Sequence, residues 1–302
     1  METGTSRPWT GTSFFASRKR CCPHCQTRTL TIDGKEVIEY YHRGVVCHLQ
    51  GNELAVPLDM ELLAPGEGEE TAAKRLLERV FALYPRFFDV VVGDALYLDA
   101  PFINFCRQHG KHAIVTVRGE HRLLLQDAKG LFSQRSPGQW QEGACRVQFW
   151  DVEGFTSCEG VQDPLRVLHT VETTSRRQRI AQQWQEIEDV KSWYWATTLS
   201  SRQLSTRGLW RAGHGRWDIE NDCFNTLSTH WGLDHCYKHD PVAIINFTLT
   251  LFITFVLLQC FWLRNLKPQR RVQLTLIALG RELDRTSAGC RAPWYGQFLR
   301  GP

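Results

Sequence analysis

The sequence predicts an α/β fold, a mixed sheet flanked by helices and carrying a β-rich insertion, on three observations. Between residues 36 and 118 the hydrophobic pattern runs as two antiparallel strands, helix, strand, helix, strand. The run 88–92, Phe-Asp-Val-Val-Val, is apolar almost throughout, as expected of a central strand covered on both faces. From about 120 to 200 the pattern changes to strand-like runs separated by polar stretches. Helical periodicity then returns near Ser201 and continues through Glu220 towards Trp231.

The first thirty residues read as irregular, with Cys21, Cys22 and Cys25 beside Pro23 and His24. Residues 39–50 are rich in β-branched and aromatic side chains and predict a strand; Gly51-Asn52 is a hairpin turn and 53–58 its partner. A loop of glycine and acids at 65–70 leads into an amphipathic helix, 71–84, with Leu76, Leu77, Val80, Phe81 and Tyr84 on one face and Pro85 as its stop. Asp94 stands just past the C-terminal end of the 88–92 strand, a favoured place for ligand chemistry in an α/β sheet. A short helix at 101–109 and a strand at 113–118 follow, and 147–152, 166–173 and 193–199 are the expected strands of the insertion.

The chain has 302 residues, enough for one large domain with an insertion or for two domains, and its 42% hydrophobic content is that of a globular protein. A net charge of +4 is too small to establish nucleic-acid binding by composition alone. Locally, 264–300 carries eight basic residues against Glu282 and Asp284, which suits either phosphate contact or a solvated basic tail. Residues 1–15 lack the pattern of a signal peptide, so the eleven cysteines are expected to stay reduced and no disulfide framework is expected. The stretch 242–263 contains no charged residue and is long enough to span a bilayer. Asn246, Thr248, Thr250, Thr254 and Gln259 dilute it, so a buried core helix is expected, with a single membrane span as the alternative.

Arg216 and Glu220, four apart in a helical segment, share a face. Were the fold to bring Asp94 beside Glu220, the two carboxylates would suit Mg²⁺ and phosphodiester chemistry. The plainer alternatives are that Asp94 caps the next helix and that Glu220 pairs with Arg216. Cys22-x2-Cys25 with His42 forms a candidate zinc half-site needing Cys47 or His48 to complete it; a reduced, metal-free hairpin is the alternative. His235 and His239 are expected to cap or pack rather than to touch DNA or a metal, and Asp33-Gly34 reads as a turn.

Asp94 in Val-Val-Val-Gly-Asp-Ala-Leu-Tyr, followed after the insertion by Arg-Trp-x-Ile-Glu-Asn-x-x-Phe, resembles the catalytic region of DDE transposases of bacterial insertion sequences, of the Tyr-Arg-Glu-Lys signature class. Tyr40-Tyr41-His42-Arg43 and Trp231-Gly232-Leu233-Asp234-His235 add to the resemblance. It implies an RNase H-like core with a β-rich insertion before the last catalytic helix, Mg²⁺ or Mn²⁺ as cofactor, and cleavage and joining of double-stranded DNA at element ends and target. A cytoplasmic, nucleoid-associated location, a possible homodimer and no membrane partner go with it. Asp94 and Glu220 match the second and third carboxylates and Arg216 the signature arginine. The implied organisation is a first part of the core at 1–119, the insertion at 120–200, a second part of the core at 201–271 and a basic segment at 272–302.

The sequence departs from that family in three ways. Gly213 and Leu227 stand at the Tyr and Lys positions of Tyr-x2-Arg-x3-Glu-x6-Lys, which removes the phosphate contacts expected there. Thr10-Gly11-Thr12 stands where relatives have Asp-Gly-Thr, so the first carboxylate is replaced by a hydroxyl and catalysis is expected to be impaired. The helical DNA-binding region that precedes the core in relatives is expected to be missing here, either because the element is N-terminally truncated or because its start is misassigned. A DNA-binding-only remnant of the same fold is the second reading and a single-span membrane protein the third.

Overall fold

The computed structural model describes residues 12–50, 54–180, 183–216, 223–235 and 237–289. It is a mixed α/β structure with sheets flanked by helices, consistent with an RNase H-like core, and it divides into two units, one built on 67–218 and the other on 13–66 and 219–302.

The second of these units begins with a four-stranded sheet of β1 (Thr12–Ser17), β2 (Gln26–Ile32), β3 (Lys35–Leu49) and β4 (Val56–Leu62). The long β3 pairs antiparallel with β2 from Lys35 to Tyr41 and with β4 from Gly44 to Leu49, bulging between Cys47 and His48. Asp33 and Gly34 close the β2–β3 hairpin with φ of 49° and 74°, the mirror-image two-residue turn that matches strand twist. The expectation of an irregular first thirty residues is therefore corrected. In β2 only Leu30 and Ile32 are apolar, so its alternation of half-buried and exposed positions is carried by Gln, Thr and Arg, and hydrophobic periodicity misses it. The partner of the 39–50 strand starts at Val56 rather than at 53, and the predicted turn at Gly51-Asn52 lies outside the described residues.

In the other unit α1 (Glu69–Leu83) buries Ala72, Ala73, Leu76, Leu77, Val80 and Phe81 on one face. It leads to β5 (Val90–Gly93), which runs parallel to β6 (His112–Thr116) through the crossover helix α2 (Ala100–Gln108). After α3 (Leu123–Phe132) come β7 (Gly138–Glu142), β8 (Cys145–Phe155), β9 (Leu165–Ile180) and β10 (Gln183–Thr197), and the sheet order is β5-β6-β10-β9-β8-β7. The strands of the 120–200 stretch thus extend the sheet of β5 and β6, joined by the register of Trp195 on Thr116. Among the described residues the 88–92 run forms the terminal strand of this order. An apolar run reports that the faces of a strand are covered, not that both its edges are paired.

Helix α4 (Thr206–Gly215) lies on this sheet, held by the half-buried carboxylate of Asp151 and the buried one of Glu172. Asp151 makes a bidentate pair with Arg166, Oδ1 to Nε at 2.7 Å, and accepts from Thr206 Oγ1 at 2.6 Å, while Arg166 Nη1 donates to Leu204 O at 2.6 Å. Farther along, Glu172 Oε1 accepts from Trp210 Nε1 and lies opposite His214 Nε2, both at 2.8 Å, and also accepts from Thr170 Oγ1 at 3.0 Å. Burial raises the Glu172 carboxyl's pKa, but the bonds to His214, Trp210 and Thr170 outweigh it and the net shift is downward. The helix comes so close that a Cβ on Gly213 would sit 2.4 Å from Trp195 Nε1. A tyrosine at 213, as in the signature this stretch resembles, has no room while Trp195 fills the core beneath.

The chain completes the unit of 13–66 and 219–302 with α5 (Asn225–Trp231), α6 (Pro241–Asn265), α7 (Pro268–Gln273) and α8 (Leu276–Gly289). Leu227 is fully buried with Met60, Cys223, Leu233, Ile244, Phe252 and Phe255, so the place where the resemblance would put a lysine is a core position. One face of α6 packs on β4, where the Gln259 side-chain amide bonds both N–H and C=O of Ala55 at 2.9 Å. Val242, Ile253, Leu257 and Phe261 line the other, exposed face. By length and composition α6 could cross a membrane, as the core helix of a soluble protein also could.

Two predictions follow from this packing. Gly213→Ala should destabilise by about 1–3 kcal/mol through overpacking, whereas Gly130→Ala in α3, where an added Cβ meets nothing within 4 Å, should stabilise by about 0.5–1 kcal/mol; urea unfolding of both variants measures this. The second concerns His169, stacked 3.9 Å from Tyr194 and 4.8 Å from Trp150. Burial, helped by Lys129, lowers its pKa from the ordinary 6.5 to about 4. The folded state then binds fewer protons than the unfolded, so this contribution is fully present above pH 6.5 and is lost as pH falls from there through about 4. Urea unfolding at pH 7 and pH 5 should show the loss, and His169→Phe should reduce it.

Candidate functional site

Asp94 follows the last residue of β5, and Arg118 stands two residues past the end of its parallel neighbour β6, so both lie at the C-terminal edge of the parallel pair. Asp94 Oδ1 accepts from Leu96 N at 2.8 Å and caps a short 3-10 turn, Ala95–Tyr97. That turn is fixed from outside: Arg122 donates from Nη1 to Leu98 O at 2.5 Å and from Nη2 to Ala95 O at 3.3 Å. Tyr97 folds back from the turn to donate to Glu69 Oε1 at 3.0 Å. The capping role is met together with the strand-end position, so the carboxylate has a defined orientation.

Burial raises the Asp94 pKa; the Leu96 N–H and the positive charges of Arg216 and Arg118 pull it back without cancelling the rise. Arg216, at the C-terminal cap of α4, therefore acts on Asp94 electrostatically, as does Arg118, whose guanidinium also lies 5.8 Å from the centre of the Trp193 ring. A half-buried carboxylate offers oxygen donors to a hard cation, and the two guanidiniums whose charge reaches it suit phosphate oxygens. Arg118 was not singled out in the sequence; a basic residue just beyond the strand paired in parallel with the Asp94 strand was the available signal. Glu220 and Thr10 lie outside the described residues.

A different group forms in the unit of 13–66 and 219–302. The turn between β1 and β2 brings Cys22 and Cys25 together, Sγ to Sγ at 3.6 Å, with Cys25 N donating to Cys22 O at 3.1 Å and Cys22 N to Cys25 Sγ at 3.2 Å. His42, buried in mid β3, places Nε2 at 3.4 Å from Cys22 Sγ and 3.5 Å from Cys25 Sγ. The fourth member is His239, whose Nδ1 is 3.0 Å from Cys25 Sγ. All four donor atoms lie within 4.8 Å of one another. Cys47 and His48, the expected completing ligands, are not in this group: Cys47 pairs in register with Asp59 of β4, and both lie beyond the midpoint of β3. His235 is exposed and packs edge-on against Tyr237. Burial, with His239 and His24 adding to it, lowers His42 to about 4, while burial raises the Cys25 thiol to about 11.

A family model described as "Transposase DDE domain" matches residues 16–257 of the chain. No curated protein matches it. The matched region takes in Asp94, Arg216 and Glu220, as well as the four Cys and His donors. With most of its length covered by this one model, the chain belongs to the DDE transposase family, of the insertion-sequence kind.

Proposed function

We propose that this transposase-family chain acts on double-stranded DNA in the cytoplasm, with Asp94 and Glu220 as its metal-holding carboxylates and Arg216, joined by Arg118, as the cations that face phosphate. The observation that supports this most directly is Asp94 itself, a carboxylate oriented by the Leu96 N–H at 2.8 Å at the end of a parallel strand, within the field of two arginines. Oxygen donors of this class suit Mg²⁺ or Mn²⁺. When bound, such a cation supplies charge stabilisation for in-line displacement at phosphorus. The chain's own part is to orient the carboxylate through the Leu96 N–H and to draw phosphate oxygens to Arg118 and Arg216. The proposed organisation keeps the core at 1–119 and 201–271, the insertion at 120–200 and a basic segment at 272–302, with a homodimer as the working assembly.

Thr10 favours a second reading, a DNA-binding remnant with little or no cleavage activity. A hydroxyl carries no charge with which to replace a carboxylate between cations. Asp33 is a poor substitute, since it occupies the left-handed position of an exposed hairpin turn. In a supercoiled-plasmid nicking assay with Mn²⁺, the unmodified chain is expected to nick little and Thr10→Asp to nick more, with Asp94→Ala or Glu220→Ala abolishing the gain. Robust nicking by the unmodified chain that Asp33→Ala removes and changes at Thr10 do not would overturn this assignment.

DNA affinity is expected to fall steeply with salt and to depend little on sequence, because phosphate contacts release condensed counterions. Arg177 and Arg179 are exposed on β9 and, with Arg176 of the same strand and the basic residues after Arg264, supply the charge. Fluorescence anisotropy with a random duplex across a salt series measures it; affinity unchanged between low and high salt would count against DNA as the partner of these surfaces.

A further inference from the structure

Beyond the DNA-processing reading, and independent of it, we infer that Cys22, Cys25, His42 and His239 form a closed, tetrahedral zinc site that fastens the start of α6 to the β1–β3 sheet. Zinc–sulfur bonds of about 2.3 Å and zinc–nitrogen bonds of about 2.0–2.1 Å put tetrahedral ligand edges at about 3.8 Å between sulfurs and about 3.5 Å between sulfur and nitrogen. The Sγ–Sγ separation of 3.6 Å and the Sγ–Nε2 separations of 3.4 and 3.5 Å match those edges, and the Cys25–His239 separation of 3.0 Å is within half an ångström of its edge. Two sulfurs and two imidazole nitrogens in a tetrahedron select zinc over magnesium or calcium, which take oxygen.

The surroundings are those of a structural site. The Cys-x2-Cys turn is formed, with the Cys22 N–H directed at Cys25 Sγ at 3.2 Å, a bond that would stabilise a thiolate. His42 is buried in mid-strand, presenting Nε2 to both sulfurs. All four positions come from the protein, so no open position remains for water or substrate. Binding Zn²⁺ replaces the two thiol protons, which pass to solvent; two thiolates and two neutral imidazoles leave the group without net charge.

The ligands lie far apart in sequence. His239 is 214 residues from Cys25 and immediately precedes Asp240, which caps α6 by accepting from Ala243 N at 2.9 Å. Arg20 Nη1 donates to Tyr237 O at 3.2 Å beside it. The metal would hold one end of α6 while Gln259 holds the far end to Ala55. Zinc in this role is folding energy for the unit rather than a participant in catalysis.

The test is metal analysis and cobalt spectroscopy on the purified full chain. About one equivalent of zinc per chain is expected. Replacement by Co²⁺ should give intense visible d–d bands of a tetrahedral ion with a thiolate charge-transfer band. Cys22→Ser and Cys25→Ser should lose the metal. His239→Ala should weaken its retention against a chelator by roughly tenfold or more and shift the cobalt bands, whereas His48→Ala and His235→Ala should leave both unchanged. Circular dichroism identifies variants that merely unfold, and the cobalt spectrum of the unmodified chain needs no variant. A chain that takes up no zinc, a weak octahedral cobalt spectrum, or a His239→Ala protein indistinguishable from the unmodified one would overturn the proposal. None of these readings depends on DNA cleavage, so failure here and failure of the transposase mechanism are separate results.

Discussion

How closely α4 lies on its sheet governs the whole edge that carries Asp94. Two carboxylates on neighbouring strands set that distance, Asp151 through Arg166 and Thr206 at the start of the helix and Glu172 through Trp210 and His214 farther along. Arg166 and Glu172 are buried, so losing one partner of either cluster would strand a charge away from water and cost far more than an exposed ion pair contributes. The helix cannot slide or tilt without breaking one of these clusters. Arg216 at its far end thereby inherits a fixed place in the field of Asp94.

The unit of 13–66 and 219–302 solves a similar problem by different means. Its long helix α6 has a low density of charge and one apolar face spent on the core around Met60, Phe252 and Phe255. Apolar burial is non-directional and would tolerate rotation or slippage of such a helix. Direction comes from polar groups near the ends, the Gln259 amide on the Ala55 backbone and the Cys and His group just ahead of Asp240. A few specific contacts thus set the register of a large non-specific surface.

The sequence was most informative where one residue carried one constraint. The helix with Leu76, Leu77, Val80 and Phe81 inside, the Asp33-Gly34 turn and the placing of Asp94 past a strand end were all readable, because periodicity and turn chemistry are local. The strand β2 was not, since its alternation is written in polar residues. Hydropathy over 242–263 sums around the circumference of the helix and so missed that Ile244, Phe252 and Phe255 face the core while Ile253, Leu257 and Phe261 do not. The place of β5 among the described strands depends on which strands pair, a non-local fact. So does the joining of His239 to Cys22, Cys25 and His42: spacing pointed to Cys47 or His48, while the chain turned back from 214 residues away.

The approach of Gly213 to Trp195 has a consequence for relatives of this chain. A side chain at the first position and a full indole at the second compete for the same space, since even a Cβ would come within 2.8 Å of three indole atoms. The two positions should therefore vary together across the family: chains with tyrosine at the place of Gly213 are expected to carry a smaller residue at the place of Trp195, and chains with tryptophan there to keep glycine. An evolutionary path to a bulky side chain at 213 would have to empty the core position before filling the helical one. The glycine at 213 is thus a commitment shared by two residues on different elements, and changing either alone leaves a clash or a cavity.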